Sequence, residues 1–134
     1  MKKLILISIT VILTSGFTFG QKLKKGNLIG THVVTIELNA GVTMEQFLDF
    51  YMGTLLPEYE KHLKGWKFYM TKGIRGENEN NYGWIGVIES EETRAKYLDN
   101  EELWEAINEK LKPITEELDK LGKVTEKYTD WLVL

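Results

Sequence analysis

Hydrophobic and polar residues alternate with a period of two in four separate stretches of the chain, and this alternation predicts four β-strands. In the first stretch His32 shares one face with three aliphatic side chains, whereas the other face is mostly polar. A polar loop rich in glycine and asparagine separates the second stretch from the third, so these two strands are expected to form a hairpin. The predicted strands are residues 31–38, 66–71, 82–89 and 128–134.

A helical region follows the first predicted strand. Thr43 and Gln46 have the spacing of a capping box, in which each side chain pairs with the other residue's backbone N–H, so the helix is expected to begin here. Apolar residues then recur at helical intervals as far as Gly65, where the helix is expected to end. Pro57 lies inside this stretch and is expected to kink the helix or to restart it.

A second helical region lies between the third and fourth predicted strands. Ser90 is expected to cap a short helical turn, and Asp99 with Glu102 has the spacing of a second capping box. Leucine and isoleucine residues then recur every three or four positions, which is the pattern of one apolar helical stripe. Pro113 is expected to bend this helix and Gly122 to end it.

The order of these elements is β-α-β-β-α-β, which predicts an α+β protein of the ferredoxin-like kind. In that fold a four-stranded antiparallel sheet carries both helical regions on one face. The opposite face would then remain open, although several of its residues are apolar. Such a face favours a partner, and a second copy of the chain, giving a homodimer, is the simplest one. The apolar residues assigned to the open face are Val33, Ile85, Val87, Trp131 and Val133.

Composition narrows the possible functions. The chain has 134 residues, a length that suits one domain, and it has no cysteine and two histidines. Thiol catalysis, iron–sulfur clusters and closed structural zinc sites are therefore excluded. The formal net charge of -3 gives no electrostatic case for binding nucleic acid.

The N-terminus has the pattern of a secretory signal peptide. Lys2 and Lys3 precede an apolar run, and the small residues Thr18 and Gly20 lie just before a cleavage point at Gln21. We therefore expect residues 1–20 to be a signal peptide, residues 21–28 a leader segment and residues 29–134 the folded domain. The protein is expected to be exported to the periplasm or secreted, with no membrane attachment after cleavage. An uncleaved membrane anchor is the alternative.

Four segments carry a family resemblance: HVVTIEL (32–38), VTMEQ (42–46), YGWIGVIESEET (82–93) and YLDNEELW (97–104). Over roughly residues 29–134 the chain resembles the dimeric α+β barrel superfamily, and these segments are similar to its stress-responsive dabb-type domains. The helical stretch 47–65, with Pro57 inside it, is similar to the antibiotic-biosynthesis monooxygenase and EthD-type relatives.

The resemblance implies that two ferredoxin-like subunits pair their sheets as a dimeric α+β barrel. It also implies a cleft between sheet and helices that binds small hydrophobic or aromatic molecules. Relatives include cofactor-free monooxygenases, polyketide cyclases and haem-degrading enzymes. The haem-degrading members use a histidine of the second helix as iron ligand, and this chain has none there, so no cofactor is expected.

Cyclase-like relatives use a histidine of the first strand and a tyrosine of the second helical region for acid–base chemistry. The resemblance assigns these roles to His32 and Tyr97. Three further histidine positions of those relatives fall on Trp84, Asn100 and Leu103 in this chain. These departures leave open whether the chain is an enzyme. An enzyme of this kind would be a cofactor-independent monooxygenase or cyclase.

The residues themselves leave two interpretations open. His32 could be a general base, because the pKa of histidine lies near neutral pH, or a hydrogen-bonded histidine at the start of a strand. The aromatic residues could line a ligand pocket or simply fill the core. Histidine and carboxylate residues show no metal-ligand spacing, so no metal site is expected. The ligand-binding candidates are Tyr51, Trp66, Phe68, Trp84 and Asn100.

The function expected from the sequence is the binding of a small hydrophobic or aromatic compound in this cleft, with transformation of that compound if the protein is an enzyme. The alternative is a non-catalytic, dimeric interaction domain whose cleft is filled by its own side chains. The volume of the cleft distinguishes the two.

Overall fold

Four antiparallel strands form one sheet in a computed structural model, which describes residues 22–134. The strands are β1 (Leu28–Leu38), β2 (Trp66–Lys72), β3 (Tyr82–Ile88) and β4 (Gly122–Leu132), and their order across the sheet is β2-β3-β1-β4. The longest pairing joins β1 to β4 over their whole lengths. The predicted signal peptide lies outside the described residues.

The four predicted strands are confirmed, but two of them start earlier than predicted, and the ends of β2 and β3 each move by one residue. β1 begins at Leu28, because Leu28 and Gly30 continue the alternation that brings His32 to the helix-facing side. β4 begins at Gly122, six residues before the predicted start at Tyr128. Its first half is mostly polar and exposed, since β4 is an edge strand, and this polarity concealed it in the sequence.

The first helical region is one continuous rod made of three parts: α1 (Met44–Phe50), a π-helical segment (Tyr51–Leu55) and α2 (Leu56–His62). The capping box is confirmed, because Gln46 N donates to Thr43 Oγ1 at 3.2 Å and Thr43 N donates to Gln46 Oε1 at 2.9 Å. Pro57 lies in the first turn of α2, directly after the π-helical segment, and its ring nitrogen cannot donate to the preceding turn. The backbone stays helical through Leu55 and Leu56, so the rod does not restart at Pro57, and the change from π-helical to α-helical structure occurs there instead.

The second helical region consists of α3 (Glu91–Leu98) and α4 (Glu101–Leu121). Ser90 caps α3 as predicted, since Thr93 N donates to its Oγ at 3.1 Å. The cap of α4 is Asn100 rather than Asp99, because Leu103 N donates to Asn100 Oδ1 at 3.0 Å. Pro113 lies inside α4, which remains a single assigned helix.

Both helical regions pack on the face of the sheet that carries His32, and two groups of buried residues join them. One group surrounds Leu111 and Leu63, and the other surrounds Phe47. Each group includes residues that line a cavity lying between them, such as Trp66 in the first and Tyr51 in the second. The helices and the sheet therefore pack closely at these two groups of residues, and the cavity lies between the groups on the helix-facing side of the sheet.

The opposite face of the sheet is open and partly apolar. Trp131 is 57% exposed on this face, and its indole N–H donates to Thr31 Oγ1 at 3.0 Å. Tyr69 of β2 is 51% exposed on the same face, and Ile85, its register partner on β3, is half-buried. Among the helices within residues 22–134, none combines the length and apolar character needed to cross a membrane.

Candidate functional site

A cavity of about 470 Å³ lies between the sheet and the helices. Aromatic side chains from several elements line it, and it extends to the edge strand β4, where Tyr128 is 60% exposed. The π-helical segment contributes Tyr51 and Leu55 to the wall. Helical segments of this kind occur frequently at functional sites. The other aromatic residues in the lining are Tyr59, Trp66, Phe68, Trp84 and Trp104.

His32 lies between two aromatic rings in the wall of this cavity. The antiparallel register places Trp84 of β3 and Tyr128 of β4 on either side of it. Its ring stacks on the Trp84 ring with centroids 3.3 Å apart and an interplanar angle of 14°, and it stacks on Tyr128 with centroids 5.2 Å apart. Only 10% of the His32 side chain is exposed. The imidazole is therefore held in one plane by its neighbours.

Glu126 of β4 anchors this group of rings. Its Oε2 lies 3.1 Å from His32 Nδ1 and accepts a hydrogen bond from Trp84 Nε1 at 3.0 Å. An ionised carboxylate can only accept, so the proton of a neutral His32 lies on Nδ1 and its Nε2 carries a free lone pair. The arrangement thus presents one imidazole nitrogen as an acceptor or base.

Burial and charge set the protonation states around Glu126. Burial lowers the pKa of His32, and the nearby charges of Glu126 and Asp130 oppose that change. Burial raises the pKa of Tyr51 and of Tyr59, and the negative charge of Glu126 raises both further. At neutral pH the site therefore holds a neutral imidazole and two protonated phenols.

Five of the seven residues expected at the site line the cavity: His32, Tyr51, Trp66, Phe68 and Trp84.

The other two expected residues are placed elsewhere. Tyr97 is only 4% exposed and packs within one of the two buried groups. Its hydroxyl accepts a hydrogen bond from Lys64 N at 2.9 Å, which ties α3 to the end of α2. Asn100 is exposed, and its side chain caps α4. Neither residue is among those that line the cavity.

Sequence reasoning missed the polar residues that β4 brings to the site. Glu126, Tyr128 and Asp130 share the helix-facing side of this strand because they pair with the inward-facing residues of β1. Asp130 accepts a hydrogen bond from Arg94 Nε of α3 at 3.2 Å. These three residues occupy alternate positions in the sequence, and this pattern could have indicated that they share one face of a strand. The pattern can be recognised only if the strand is taken to begin before Tyr128.

The indole N–H of Trp66 is a second unusual feature of the cavity wall. It is buried and has no hydrogen-bond partner among residues 22–134. Within the same range, no group of three histidine, cysteine, aspartate or glutamate residues is arranged to hold a metal ion.

No family model and no curated protein sequence matches the chain. Similar solved structures include SnoaB, a cofactor-independent oxygenase from Streptomyces nogalater. The two sequences are 12% identical, the match covers 81% of this chain and 94% of that chain, and the TM-score is 0.48. A dimeric protein of unknown function and ferredoxin-like fold from Bacteroides fragilis has 12% identity, coverage of 78% and 96%, and a TM-score of 0.41. A dimeric ferredoxin-like protein of unknown function from Thermobifida fusca has 16% identity, coverage of 84% and 97%, and a TM-score of 0.37.

The fold assignment rests on the topology of the chain itself. The strand order β2-β3-β1-β4, with every pairing antiparallel, is the order expected for a β-α-β-β-α-β chain of the ferredoxin-like kind. The fold expected from the resemblance to the dimeric α+β barrel superfamily is the fold that the chain has. By its strand order, strand directions and helix placement, this chain is an α+β protein with the ferredoxin-like fold.

Proposed function

We propose that this domain binds a small aromatic compound in the cavity between its sheet and its helices. The observation that carries the proposal is the volume of the cavity, about 470 Å³. Ligand pockets typically measure about 300–1,000 Å³ and are lined mostly by apolar and aromatic side chains with a few polar groups. The alternative, a cleft filled by its own side chains, requires a much smaller space.

The arrangement of the walls favours a planar ligand. Trp84 meets Phe68 edge to face with centroids 5.5 Å apart, and His32 stacks on the other side of the same Trp84 ring. Aromatic rings add such stacked and edge-on contacts to the area that they bury, so a flat aromatic ligand would continue an existing pattern. Glu126 and His32 place the polar groups beside the exposed edge strand β4.

The binding proposal is tested with naphthalene as the probe. We expect ligand-observed NMR titration to show one naphthalene bound per chain. Leu118→Trp places an indole in the cavity wall and should abolish this binding, whereas Ala106→Trp places the same indole at an exposed position of the same helix and should not. Absence of naphthalene binding, or equal binding by both variants, would contradict the proposal.

A second candidate function is cofactor-independent proton abstraction from the bound ligand. The observation that favours it is the Glu126–His32 contact, which leaves Nε2 of His32 as a base inside an apolar cavity. In this step His32 takes a proton from an acidic C–H group, and solvent returns a proton to the resulting enolate. The test uses 2-tetralone in D₂O, in which wild-type protein should accelerate loss of the α-proton NMR signals. His32→Ala should remove that acceleration by about 10²-fold or more.

We also propose that the chain forms a homodimer through the open face of its sheet. An exposed tryptophan and half-buried aliphatic residues support this, since monomers rarely expose large contiguous apolar patches. Light scattering should give the mass of two chains for the wild type and of one chain for Trp131→Glu. Ile74→Glu changes a similarly exposed apolar residue in the loop between β2 and β3 and should leave the dimer intact. A monomeric wild type would contradict the proposal.

Export of the protein is a further part of the proposal. Its support is the pattern of basic, apolar and small residues at positions 1–20. N-terminal sequencing of protein recovered from the exported fraction should begin at Gln21. Recovery of the chain with Met1 in place would indicate a retained anchor instead.

A further inference from the structure

Gly30 creates a small polar space in the wall of the cavity. It lies two residues before His32 on β1 and therefore points to the same helix-facing side. A methyl group on Gly30 would lie 3.1 Å from Asp130 Oδ1 and 3.2 Å from His32 Nε2. Two polar atoms from neighbouring strands thus converge above a residue that has no side chain.

Both converging atoms are hydrogen-bond acceptors. His32 Nδ1 is engaged by Glu126, so Nε2 carries the lone pair. The Asp130 carboxylate uses Oδ2 to accept from Arg94, and its other oxygen, Oδ1, is the one that faces Gly30. Two acceptors that face one space are complemented by a group that donates hydrogen bonds.

We propose that the space above Gly30 is a subsite for a hydrogen-bond donor on the aromatic ligand. A hydroxyl donates to His32 Nε2 or to Asp130 Oδ1, and an ammonium group donates to both. The proposal rests on the proposed binding function and narrows its ligand to aromatic compounds that carry a hydroxyl or an ammonium group. Aromatic carboxylates should be rejected, because the polar end of the cavity carries more negative than positive charge. It holds the two carboxylates of Glu126 and Asp130 but only one guanidinium group, that of Arg94.

The sheet provides a matched control for Gly30. Gly86 of β3 is its register partner and also points to the helix-facing side. A methyl group on Gly86 would meet aromatic carbons, Trp84 Cζ3 at 3.2 Å and Phe68 Cε1 at 3.6 Å. The two glycines therefore admit the same substitution on adjacent strands, but only Gly30 lies beneath two acceptors.

The experiment compares four probes that share one ring system: naphthalene, 2-naphthol, 2-naphthylmethylamine and 2-naphthoate. Calorimetric titration of the full chain should give tighter binding of 2-naphthol than of naphthalene by about threefold, for the one hydrogen bond that its hydroxyl donates. The amine can donate to both acceptors and should bind tighter than naphthalene by about tenfold. 2-Naphthoate should bind more weakly than 2-naphthol. If the amine binds more tightly than 2-naphthol, the ligand is one that carries an ammonium group. If 2-naphthol binds more tightly than the amine, the ligand carries a hydroxyl group. Either result supports the subsite, provided that the probe binds more tightly than naphthalene.

Substitutions then test which residues cause the tighter binding of the donor-bearing probes. Gly30→Ala should reduce the ratio between donor-bearing probe and naphthalene by about threefold or more, the value of one weakened hydrogen bond. Gly86→Ala should change both affinities by the same factor. Asp130→Ala should also reduce the ratio, whereas Arg94→Gln, which removes the ion pair but keeps both acceptors, should preserve it.

The outcomes separate this inference from the binding proposal. If naphthalene does not bind to the wild type, both fail together. If naphthalene binds and the donor-bearing probes gain nothing over it, the subsite is refuted and the binding proposal stands. The subsite is equally refuted if Gly30→Ala and Asp130→Ala both retain the full preference.

Discussion

Replacing Glu126 by glutamine should loosen the group of rings around His32. The substitution preserves the size and shape of the side chain but removes its charge. In the wild type one carboxylate oxygen, Oε2, lies 3.0 Å from Trp84 Nε1 and 3.1 Å from His32 Nδ1. A glutamine oxygen can still accept from both donors, but these hydrogen bonds are no longer charge-assisted. A glutamine amide turned the other way presents N–H groups to N–H groups.

The size of the effect follows from the number of contacts and from their exposure. Hydrogen bonds to a charged group contribute about 1.5–3 kcal/mol each when they are well shielded. The Glu126 side chain is 40% exposed, so solvent screens both contacts, and we expect their combined loss to reduce the free energy of unfolding by about 1–2 kcal/mol. With a urea m-value of about 2 kcal/mol per M, this loss moves the unfolding midpoint by about 0.5–1 M.

The assay is urea unfolding at neutral pH, followed by far-UV circular dichroism. A double-mutant cycle with Trp84→Phe, which removes only the indole N–H donor and some ring area, isolates the contact between the two side chains. We expect a coupling energy of about 0.5–1 kcal/mol. Glu109→Gln alters an exposed glutamate of α4 in the same way and should leave the midpoint unchanged. A coupling energy of zero, or equal effects of the two glutamine substitutions, would refute the role of Glu126 as the anchor.

Two further predictions concern the stability of the fold. Because burial lowers the pKa of His32 below its ordinary value of 6.5, the unfolded chain takes up a proton before the folded chain does as the pH falls. Stability should therefore decrease as the pH drops from about 6.5, by about 1.4 kcal/mol for each unit by which the pKa is lowered, and His32→Gln should remove this part of the pH dependence. His62→Gln, which removes the other imidazole, serves as the control, and an unchanged pH profile in His32→Gln would contradict the prediction. Thr43→Ala breaks the capping box and should cost about 0.5–2 kcal/mol in urea unfolding; an unchanged midpoint would show that the box does not stabilise α1.

Local rules predicted much of the fold because they act between near neighbours. The alternation of residues around His32 depends only on strand geometry, and the capping box depends on two residues three positions apart. The same local rules account for the cap at Ser90 and for the place of Pro57 at the start of α2. Each of these features is satisfied within one element, so no knowledge of the other elements was needed.

The polar part of the site could not be predicted in the same way. Glu126 reaches His32 because β4 pairs with β1 in one register, and these residues are 94 positions apart in the chain. Placing the start of β4 six residues too late left that register undefined. Tyr97 and Asn100, both predicted at the site, lie outside the cavity lining. Their polar groups serve a link to Lys64 and a helix cap, and the first of these contacts depends on how α3 meets the end of α2.

Two glycines lie in the part of the sheet that lines the cavity. Gly30 and Gly86 lie opposite one another on adjacent strands, and both point toward the helices. Larger residues at these two positions would fill the space beneath the helices and gain the dispersion contacts that an unfilled space loses. Glycine also weakens a strand, so the pair lowers the stability of the sheet at the place where the aromatic walls converge. Under the binding proposal, a ligand in this space would supply the contacts that the two glycines leave unmade.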